Sequence, residues 1–284
     1  MDNRYDIAII GSGPAGISAA INAKIRNKKI ILFGSKDLSA KLIKAPKINN
    51  YLGFYNVTGE ELKNQFQRHM DSMGIEIVNE RINNVYAMGD YFTLMVNEKM
   101  YEATTVILAT GVEYTKPLSG EEKFLGRGVG YCATCDAPLY KGKIVTIVGY
   151  NKEAEEDANY VSELAAKVYY VPMYKGEYNL RSEIQILQDK PVEIQGDNFV
   201  SKLILKENEV DTDGVFVLKD SVPPAQLVPG LEIEEGHIKV DRLMKTNIPG
   251  CFAAGDCIGK PYQYIKAAGE GQIAALSAVS YLDS

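Results

Sequence analysis

The segment YDIAIIGSGPAGISAAINAKI, residues 5–25, carries the strongest signal for the fold class. Tyr5 to Ile10 is a short apolar strand pattern, a glycine-rich segment occupies 11–16, and Ile17 to Ile25 is a helix pattern rich in Ala and Ile. Strand, glycine turn and helix in this order form a dinucleotide-binding fingerprint. A glycine turn in an unrelated α/β protein is the alternative interpretation.

The three glycines have separate roles in that fingerprint. Gly11 allows the tight turn, Gly13 lets the backbone approach a pyrophosphate, and Gly16 lets the helix pack against the strand. The second strand of such a unit should end at an acidic residue that holds a ribose, but this chain has Gly-Ser-Lys at 34–36. We therefore expect the adenosine end of a dinucleotide to be held through backbone atoms and Ser35.

Length and composition indicate an ordinary globular protein. A chain of 284 residues is long enough for two domains, and 46% apolar and 24% charged residues are typical values. The formal net charge of −6 argues against a nucleic-acid partner. No apolar run approaches the roughly 20 residues of a spanning helix, so no membrane contact is expected. Residues 1–6 lack a signal-peptide pattern and cysteines are few, which together predict a reducing cytoplasm.

A dithiol motif, CATCD at residues 132–136, carries the chemistry. Two cysteines separated by two residues can close a small disulfide ring that exchanges two electrons, and such motifs lower a cysteine pKa. The motif lies just before a second strand-and-helix pattern of the nucleotide-binding kind, Lys143 to Leu164. A redox function is therefore the leading interpretation.

A zinc site is the alternative for the same cysteines. A structural zinc site usually needs four Cys or His ligands, but His69 and His237 are far apart in the sequence. Cys251 and Cys257 do not repeat the short spacing and lie among small apolar residues. We predict that these two are buried free thiols.

Two later segments also end in small residues. Ile248 to Asp256 is a short strand pattern that ends in Gly-Asp, ahead of an Ala-rich helix at about Ile265 to Tyr281. Asp256 can accept hydrogen bonds from sugar-like hydroxyls such as a flavin ribityl chain, although a strand-end Asp is often only a helix cap. Val106 to Gly111 is a strand pattern compatible with backbone lying against a flat cofactor.

Taken together, these motifs resemble the low-molecular-weight thioredoxin reductases, which are FAD enzymes of the two-dinucleotide-domain flavoprotein superfamily. The matching segments, in chain order, are GSGPAG at 11–16, ATG at 109–111, CATCD at 132–136 and IPGCFAAGD at 248–256. The resemblance implies an α/β fold with two Rossmann-like dinucleotide-binding-type domains, and a homodimer.

The resemblance also implies the domain limits. The FAD-binding domain is discontinuous, at 1–114 and 242–284. A smaller inserted domain at 115–241 is like an NADPH domain and carries the CxxC motif. Hinges near Val112–Pro117 and Val240–Lys245 would let the two domains rotate.

Roles for individual residues follow from the same resemblance. Cys135 faces the flavin, Cys132 is the interchange thiolate that attacks the disulfide of thioredoxin, and Asp136 handles the proton. A helix cap is the competing role for Asp136. FAD contacts are implied at Gly11, Ser12, Gly13, Pro14, Ala15, Gly16, Gly34, Ser35, Lys41, Leu42, Asn50, Ala109, Thr110, Gly111, Gly255, Asp256, Gln263 and Tyr264.

The second nucleotide site departs from the family pattern at three places. Asn151 stands where the family has the glycine that admits pyrophosphate, and acidic residues crowd 153–157. Pro-Met-Tyr at 172–174 replaces the His-Arg-Arg that clamps a 2′-phosphate. Residues 219–223 replace a Gly-His-x-Pro segment. We therefore expect no functional NADPH site.

This departure changes the expected electron donor. The chain is most similar to the ferredoxin-dependent flavin thioredoxin reductases, so ferredoxin is the expected donor and thioredoxin the acceptor. Lys41, Lys44 and Lys47 are a candidate patch for an acidic donor, with a solvated surface as the alternative. An NADPH- or NADH-dependent reductase with an atypical site and a flavin-bound redox sensor are the two rival functions.

Aromatic residues border the expected flavin ring. Tyr51, Phe54, Tyr262 and Tyr264 fall in segments next to the implied isoalloxazine site. Shielding of the ring and simple core packing are equally good interpretations of their position.

Overall fold

The protein is described by a computed structural model that covers residues 4–36, 38, 40–43, 45–96, 99–112, 117–219 and 224–284, with backbone alone for Ala40, Lys41 and Cys135. The chain divides into two compact units. Unit 1 is Met1–Val112 with Pro223–Ser284, and unit 2 is Glu113–Val222.

The helices and strands follow one another in α/β order. The first part of unit 1 has β1 (Tyr5–Ile10), α1 (Pro14–Ile25), β2 (Ile30–Phe33), α2 (Ala40–Ile43), α3 (Gly59–Ser72), β3 (Ile77–Val78), β4 (Asn84–Ala87), β5 (Phe92–Val96) and β6 (Lys99–Leu108). Unit 2 has β7 (Val129–Gly130), α4 (Ala133–Asp136), a 3₁₀ turn (Ala137–Tyr140), β8 (Ile144–Gly149), α5 (Glu153–Ser162), β9 (Lys167–Pro172), β10 (Gln185–Ile186), β11 (Pro191–Gly196), β12 (Val200–Leu205), β13 (Glu209–Asp211) and β14 (Gly214–Leu218). The last part of unit 1 has α6 (Pro224–Leu227), β15 (Ile233–Glu234), β16 (His237–Ile238), β17 (Cys251–Ala253), a 3₁₀ turn (Asp256–Ile258) and α7 (Tyr264–Leu282).

Unit 1 is built on a seven-stranded sheet of order β3-β2-β1-β6-β5-β4, with β17 also paired to β6. Strands β1, β2, β3, β6 and β17 pair in parallel, and β4 and β5 add antiparallel strands at one side. Helices α1 and α7 pack closely because Gly271 has no side chain. A Cβ on Gly271 would lie 2.0 Å from the carbonyl oxygen of Ala15.

Unit 2 contains a parallel sheet of order β10-β9-β8-β14-β7 and a separate antiparallel sheet of β11, β12 and β13. Helix α5 connects β8 to β9, its parallel neighbour. The carboxyl ends of β7, β8 and β14 lie at one edge of the parallel sheet, which is the edge where such folds take ligands. The CATCD segment follows β7 directly.

The expected α/β class with parallel sheets and two nucleotide-type units is confirmed. The first helix begins at Pro14 rather than Ile17, because Gly13 is the N-cap and proline suits the first helical position. Among the residues described, no helix combines the length and the apolar character needed to cross a bilayer.

The limits between the units differ from the expected ones. The first lies at 112/113 rather than after 114, and the second at 222/223 rather than after 241. The segment from Pro224 packs on unit 1, because α6 contacts β4 and β16 and the Asn84 amide donates to the Gln226 carbonyl at 3.3 Å. Residues 113–116, within the first expected hinge, lie outside the described residues.

Candidate active site

The turn before α1 leaves a helix N-terminus open. Gly13 is the N-cap, no side chain caps the helix, and the first turn contains no acidic residue. A Cβ on Gly13 would meet no atom within 4 Å, so the backbone faces free space. Uncapped N–H groups at the positive end of a 12-residue helix are suited to a phosphate.

The other two glycines of the turn are packed against backbone. Gly11 has φ +116°, and a Cβ there would lie 2.1 Å from the Ala109 carbonyl oxygen. A Cβ on Gly16 would lie 1.7 Å from the Gly11 carbonyl oxygen. These contacts tie together β1, α1 and the end of β6, so Gly13 is the member of the three that faces open space.

The acidic residue expected at the end of β2 is absent, and Ser12 links the glycine turn to that end of the strand. Its buried hydroxyl donates to the Ser35 carbonyl at 2.8 Å and to the Leu38 carbonyl at 3.3 Å. A Cβ on Gly34 would lie 2.4 Å from the same hydroxyl oxygen. Ser12, Gly34 and Ser35 thus lie together, and the Ser12 side chain is engaged within the protein.

Two further strand ends meet beside the glycine turn. The Ala109 N–H donates to the Ile10 carbonyl at 2.8 Å, and the Ala254 N–H donates to the Leu108 carbonyl at 2.9 Å. Gly111, with φ +70°, has no atom within 4 Å of a Cβ position. Open backbone at Gly111 adds to that at Gly13 on the same edge of the sheet.

A clamp that sequence reasoning missed holds the Gly255-Asp256 turn. The Gly255 N–H donates to a carboxylate oxygen of Glu270 at 3.1 Å. The Lys266 ammonium donates to the carbonyls of Gly255 at 3.2 Å and Gly259 at 2.6 Å, and pairs with Glu270 at 3.1 Å. Burial raises the pKa of Glu270. A Lys-Glu pair four residues apart on an Ala-rich helix is the sequence signal that indicates such a clamp.

The remaining expected flavin contacts separate into two groups. Asn50 and Gln263 are exposed, and the Asn50 amide donates to the Gln263 oxygen at 2.6 Å. Leu42 is fully buried in a small apolar cluster, against which Tyr264 packs, so its side chain belongs to the core. The Lys41 side chain lies outside the described residues, as does Lys44.

Three of the four aromatic residues near the expected flavin site belong to that same apolar cluster. Tyr51, Phe54 and Tyr264 pack on it, and the rings of Tyr51 and Phe54 lie 5.6 Å apart edge to face. Tyr262 instead pairs its hydroxyl with His237 Nε2 at 2.7 Å.

Cys132 lies just before α4, and the rest of the dithiol segment forms that helix. Cys132 is disulfide-bonded, and its Sγ lies 3.5 Å from the Thr134 hydroxyl. The Cys135 side chain lies outside the described residues. Cys251 and Cys257 are buried free thiols, as predicted, and burial raises their pKa values to about 12 and about 11. Among the described side chains, no three His, Cys, Asp or Glu residues gather as metal ligands.

Asp136 ends α4 with a partly buried carboxyl group. A Cβ on Gly130 would lie 3.0 Å from Asp136 Oδ2, which places the carboxyl over the end of β7. Burial raises the pKa of Asp136, so the carboxyl group holds a proton at higher pH than usual. Although Asp136 precedes the 3₁₀ turn at Ala137–Tyr140, its side chain makes no capping hydrogen bond. The Asp136 side chain therefore does not cap this turn.

Tyrosine side chains pack against Gly149, the last residue of β8. A Cβ on Gly149 would lie 2.2 Å from the Tyr170 hydroxyl oxygen. Tyr170 and Tyr174 hydroxyls are 3.1 Å apart, and the Tyr174 hydroxyl donates to the buried Glu155 carboxylate. The Asn179 N–H donates to the second Glu155 oxygen at 2.7 Å. This network occupies the space over Gly149 and brings a carboxylate to the helix start.

The N-terminus of α5 is capped from within the chain. The Asn151 side-chain oxygen accepts the Ala154 N–H at 3.1 Å, which removes a donor that a phosphate would use. Acidic residues at 153, 155 and 156 occupy the first turn. The start of α5 therefore differs from the start of α1 in its free N–H donors and in charge.

Comparison with known proteins agrees with this geometry. Residues 5–271 match the family described as pyridine nucleotide-disulphide oxidoreductase. The chain is 33% identical to the thioredoxin reductase of Bacillus subtilis over 98% of this chain and 95% of the relative, and 32% identical to that of Treponema pallidum over 100% and 99%. It resembles a solved structure of a ferredoxin-flavin thioredoxin reductase from Clostridium acetobutylicum, at 69% identity, TM-score 0.96 and coverage of 99% and 98%. A thioredoxin reductase structure from Gloeobacter violaceus is similar at 26% identity, TM-score 0.80 and coverage of 99% and 95%. The four motifs and these relatives agree, and the chain belongs to the pyridine nucleotide-disulphide oxidoreductase family, among its thioredoxin reductases.

Proposed function

We propose that this protein is a cytoplasmic flavin-dependent thioredoxin reductase that passes electrons from reduced ferredoxin, through FAD and the Cys132–Cys135 disulfide, to thioredoxin. The contrast between the two glycine turns carries the proposal. The turn at Gly13 is open and uncapped, whereas Asn151 stands at the corresponding position of the second turn and its side chain caps α5 by accepting the Ala154 N–H. The helix N-terminus in unit 1 therefore offers free donors to a dinucleotide phosphate, whereas the one in unit 2 is capped and carries acidic residues in its first turn.

The residues of unit 1 fit FAD. Open backbone at Gly13 and Gly111 leaves space for the pyrophosphate and a flat ring, and the clamp of Lys266 and Glu270 holds the turn from which Asp256 would meet the ribityl hydroxyls. When bound, FAD accepts single electrons and passes them on in pairs. We assign FAD binding to unit 1 and disulfide exchange to unit 2.

The dithiol performs the exchange in balanced steps. The Cys132–Cys135 disulfide gains two electrons and two protons and becomes a dithiol. The Cys132 thiolate then attacks one sulfur of the thioredoxin disulfide, which forms a mixed disulfide and releases a thioredoxin thiolate. Cys135 attacks the Cys132 sulfur, restores the ring and releases reduced thioredoxin. Asp136, which directly follows Cys135 and whose pKa is raised by burial, supplies the proton to the leaving thiolate.

Ferredoxin is the proposed donor for two reasons. The capped and acidic start of α5 argues against a pyridine nucleotide. The ferredoxin-flavin thioredoxin reductase from Clostridium acetobutylicum is 69% identical in sequence to this chain. We also propose a homodimer, which light scattering on the purified protein would test.

The deciding experiment is anaerobic flavin reduction. NADPH, NADH and reduced ferredoxin are added in parallel, and the visible flavin absorbance is followed. We expect ferredoxin alone to bleach the flavin, and rapid bleaching by NADPH or NADH would replace the donor assignment with the pyridine-nucleotide alternative. Catalytic reduction of thioredoxin by reduced ferredoxin separates an enzyme from a redox sensor, which would react once per molecule.

A further inference from the structure

A buried charge cluster lies at the ligand-binding edge of unit 2. Strand β14 pairs with β7 on one side and β8 on the other, and all three run parallel. Tyr131, Lys219 and Tyr150 directly follow β7, β14 and β8, respectively. Because the ends of neighbouring parallel strands meet at one edge, these three side chains converge where a Rossmann fold usually takes a ligand.

Glu121 joins this cluster as the shared acceptor. One carboxylate oxygen accepts from the Tyr131 hydroxyl at 2.7 Å and from the Lys219 ammonium at 3.2 Å. The other oxygen accepts the Leu118 N–H at 2.7 Å. The side chains of Glu121 and Lys219 are 1% and 4% exposed, and the Lys219 ammonium lies 5.7 Å from the Tyr150 ring centroid. Both charges are thus taken out of water and matched to each other.

A buried ion pair of this kind rarely adds stability over a well-packed apolar pair, because desolvation offsets the attraction. Its presence therefore calls for another role. Tyr131 is bonded to Cys132, and the hydroxyl of Tyr131 is anchored by Glu121. The pair is connected to the redox sulfur through a single tyrosine side chain.

We propose that Glu121, Lys219 and Tyr131 form a positioning device for Cys132, in which the tyrosine fixes the backbone before the sulfur and the ion pair adds no net charge of its own near the dithiol. This inference rests on the proposed disulfide exchange. Removal of one charge leaves its partner unmatched in a low-dielectric environment. As a general scale, a single charge separated from a thiol by about 10 Å, with an effective dielectric constant of about 20, shifts the thiol pKa by roughly one unit.

The signs of the expected shifts distinguish this role from a merely structural one. Glu121→Gln leaves a positive charge, which favours the thiolate and lowers the Cys132 pKa by roughly one unit. Lys219→Met leaves a negative charge and raises the pKa by a similar amount. The double variant removes both charges and returns the pKa to within about 0.3 units of the wild-type value. Asp136, the carboxyl group that faces the same segment, is present in every variant.

The test measures the alkylation rate of reduced, full-length holoenzyme with iodoacetamide as a function of pH, with Cys132 identified by peptide mass spectrometry. The buried thiols Cys251 and Cys257 provide the internal control, because they should stay unmodified in folded protein. Loss of folding would shift the apparent Cys132 pKa of both single variants in the same direction. Shifts of the same sign, or no shift in either, would overturn the proposal.

Tyr131→Phe tests the positioning part where single-charge variants fold poorly. It keeps the ion pair and removes the hydroxyl anchor. We expect an unchanged Cys132 pKa, with kcat for thioredoxin reduction lowered roughly ten- to hundredfold, the equivalent of one lost hydrogen bond to a charged group. A wild-type kcat would overturn the positioning role. Alkylation needs no electron donor, so the measured Cys132 pKa does not depend on which donor reduces the flavin. Flavin bleaching by NADPH would therefore refute the donor assignment and leave the alkylation result unchanged.

Discussion

Replacement of Lys266 by methionine should weaken unit 1 and its hold on FAD together. The ammonium donates to the carbonyls of Gly255 and Gly259 and pairs with Glu270, and the side chains of Lys266 and Glu270 are only 18% and 17% exposed. A hydrogen bond to a charged group contributes about 1.5–3 kcal/mol. With partial exposure taken into account, Lys266→Met should lower the free energy of unfolding by about 3 kcal/mol.

This decrease in the free energy of unfolding predicts a measurable decrease in the melting temperature. For a domain of this size, 1 kcal/mol corresponds to about 2–4 °C, so we expect the melting temperature of the holoenzyme to fall by roughly 6–12 °C at fixed FAD concentration. The released Gly255 turn should also raise the Kd for FAD about tenfold, measured by flavin fluorescence.

Lys239→Met is the matched control. Lys239 pairs with Glu232 at 3.7 Å in the same unit, but both side chains are more than half exposed. An exposed pair contributes at most about 1 kcal/mol, so this variant should melt within about 4 °C of the wild type and bind FAD normally. Equal melting temperatures for the two variants would refute the reasoning about the clamp.

Three other outcomes are expected. Asp136→Asn should slow thioredoxin reduction by about 10²–10⁴-fold. Because burial raises the Asp136 pKa, the folded protein binds this proton more tightly than the unfolded chain does. The stability of the wild type should therefore fall as pH rises from about 3.9 through the raised pKa. An equal fall of the melting temperature with pH in Asp136→Asn would contradict this. Gly13→Ala should keep the melting temperature of the FAD-free protein but weaken FAD binding. Gly16→Ala should lower both the melting temperature and the affinity for FAD, because its Cβ would lie 1.7 Å from a backbone oxygen. Equal melting temperatures of the two FAD-free variants would rule out that distinction. Asn151→Gly should cost about 1 kcal/mol through the lost Ala154 cap without permitting flavin reduction by NADPH, which an anaerobic titration checks.

Much of the fold could be predicted from residues that are neighbours in the sequence. Strand β1 has the predicted limits, and the helix after it needed correction only at its start, because strand alternation, glycine turns and helix periodicity are local properties. The free state of Cys251 and Cys257 was also predictable from their apolar neighbours. The steric change at Asn151 likewise indicated an altered nucleotide turn before any tertiary contact was known.

Contacts between distant segments depended on the folded chain. Tyr170 packs over Gly149 because of the register in which β8 and β9 pair. The local sequence does not indicate which side chain of one strand contacts which glycine of the other. The Lys219–Glu121 pair joins residues 98 positions apart.

The amino-acid sequence by itself therefore determined the α/β class, the dithiol and the open first turn, since each depends on steric freedom or chemistry within a few residues. Tertiary structure determined that Leu42 is a core residue, that the segment from Pro224 belongs to unit 1, and that Lys266 and Glu270 clamp the Gly255 turn. The physical reason is that burial and charge pairing depend on which strand ends and helix faces are in contact. Those contacts join segments that are far apart along the chain.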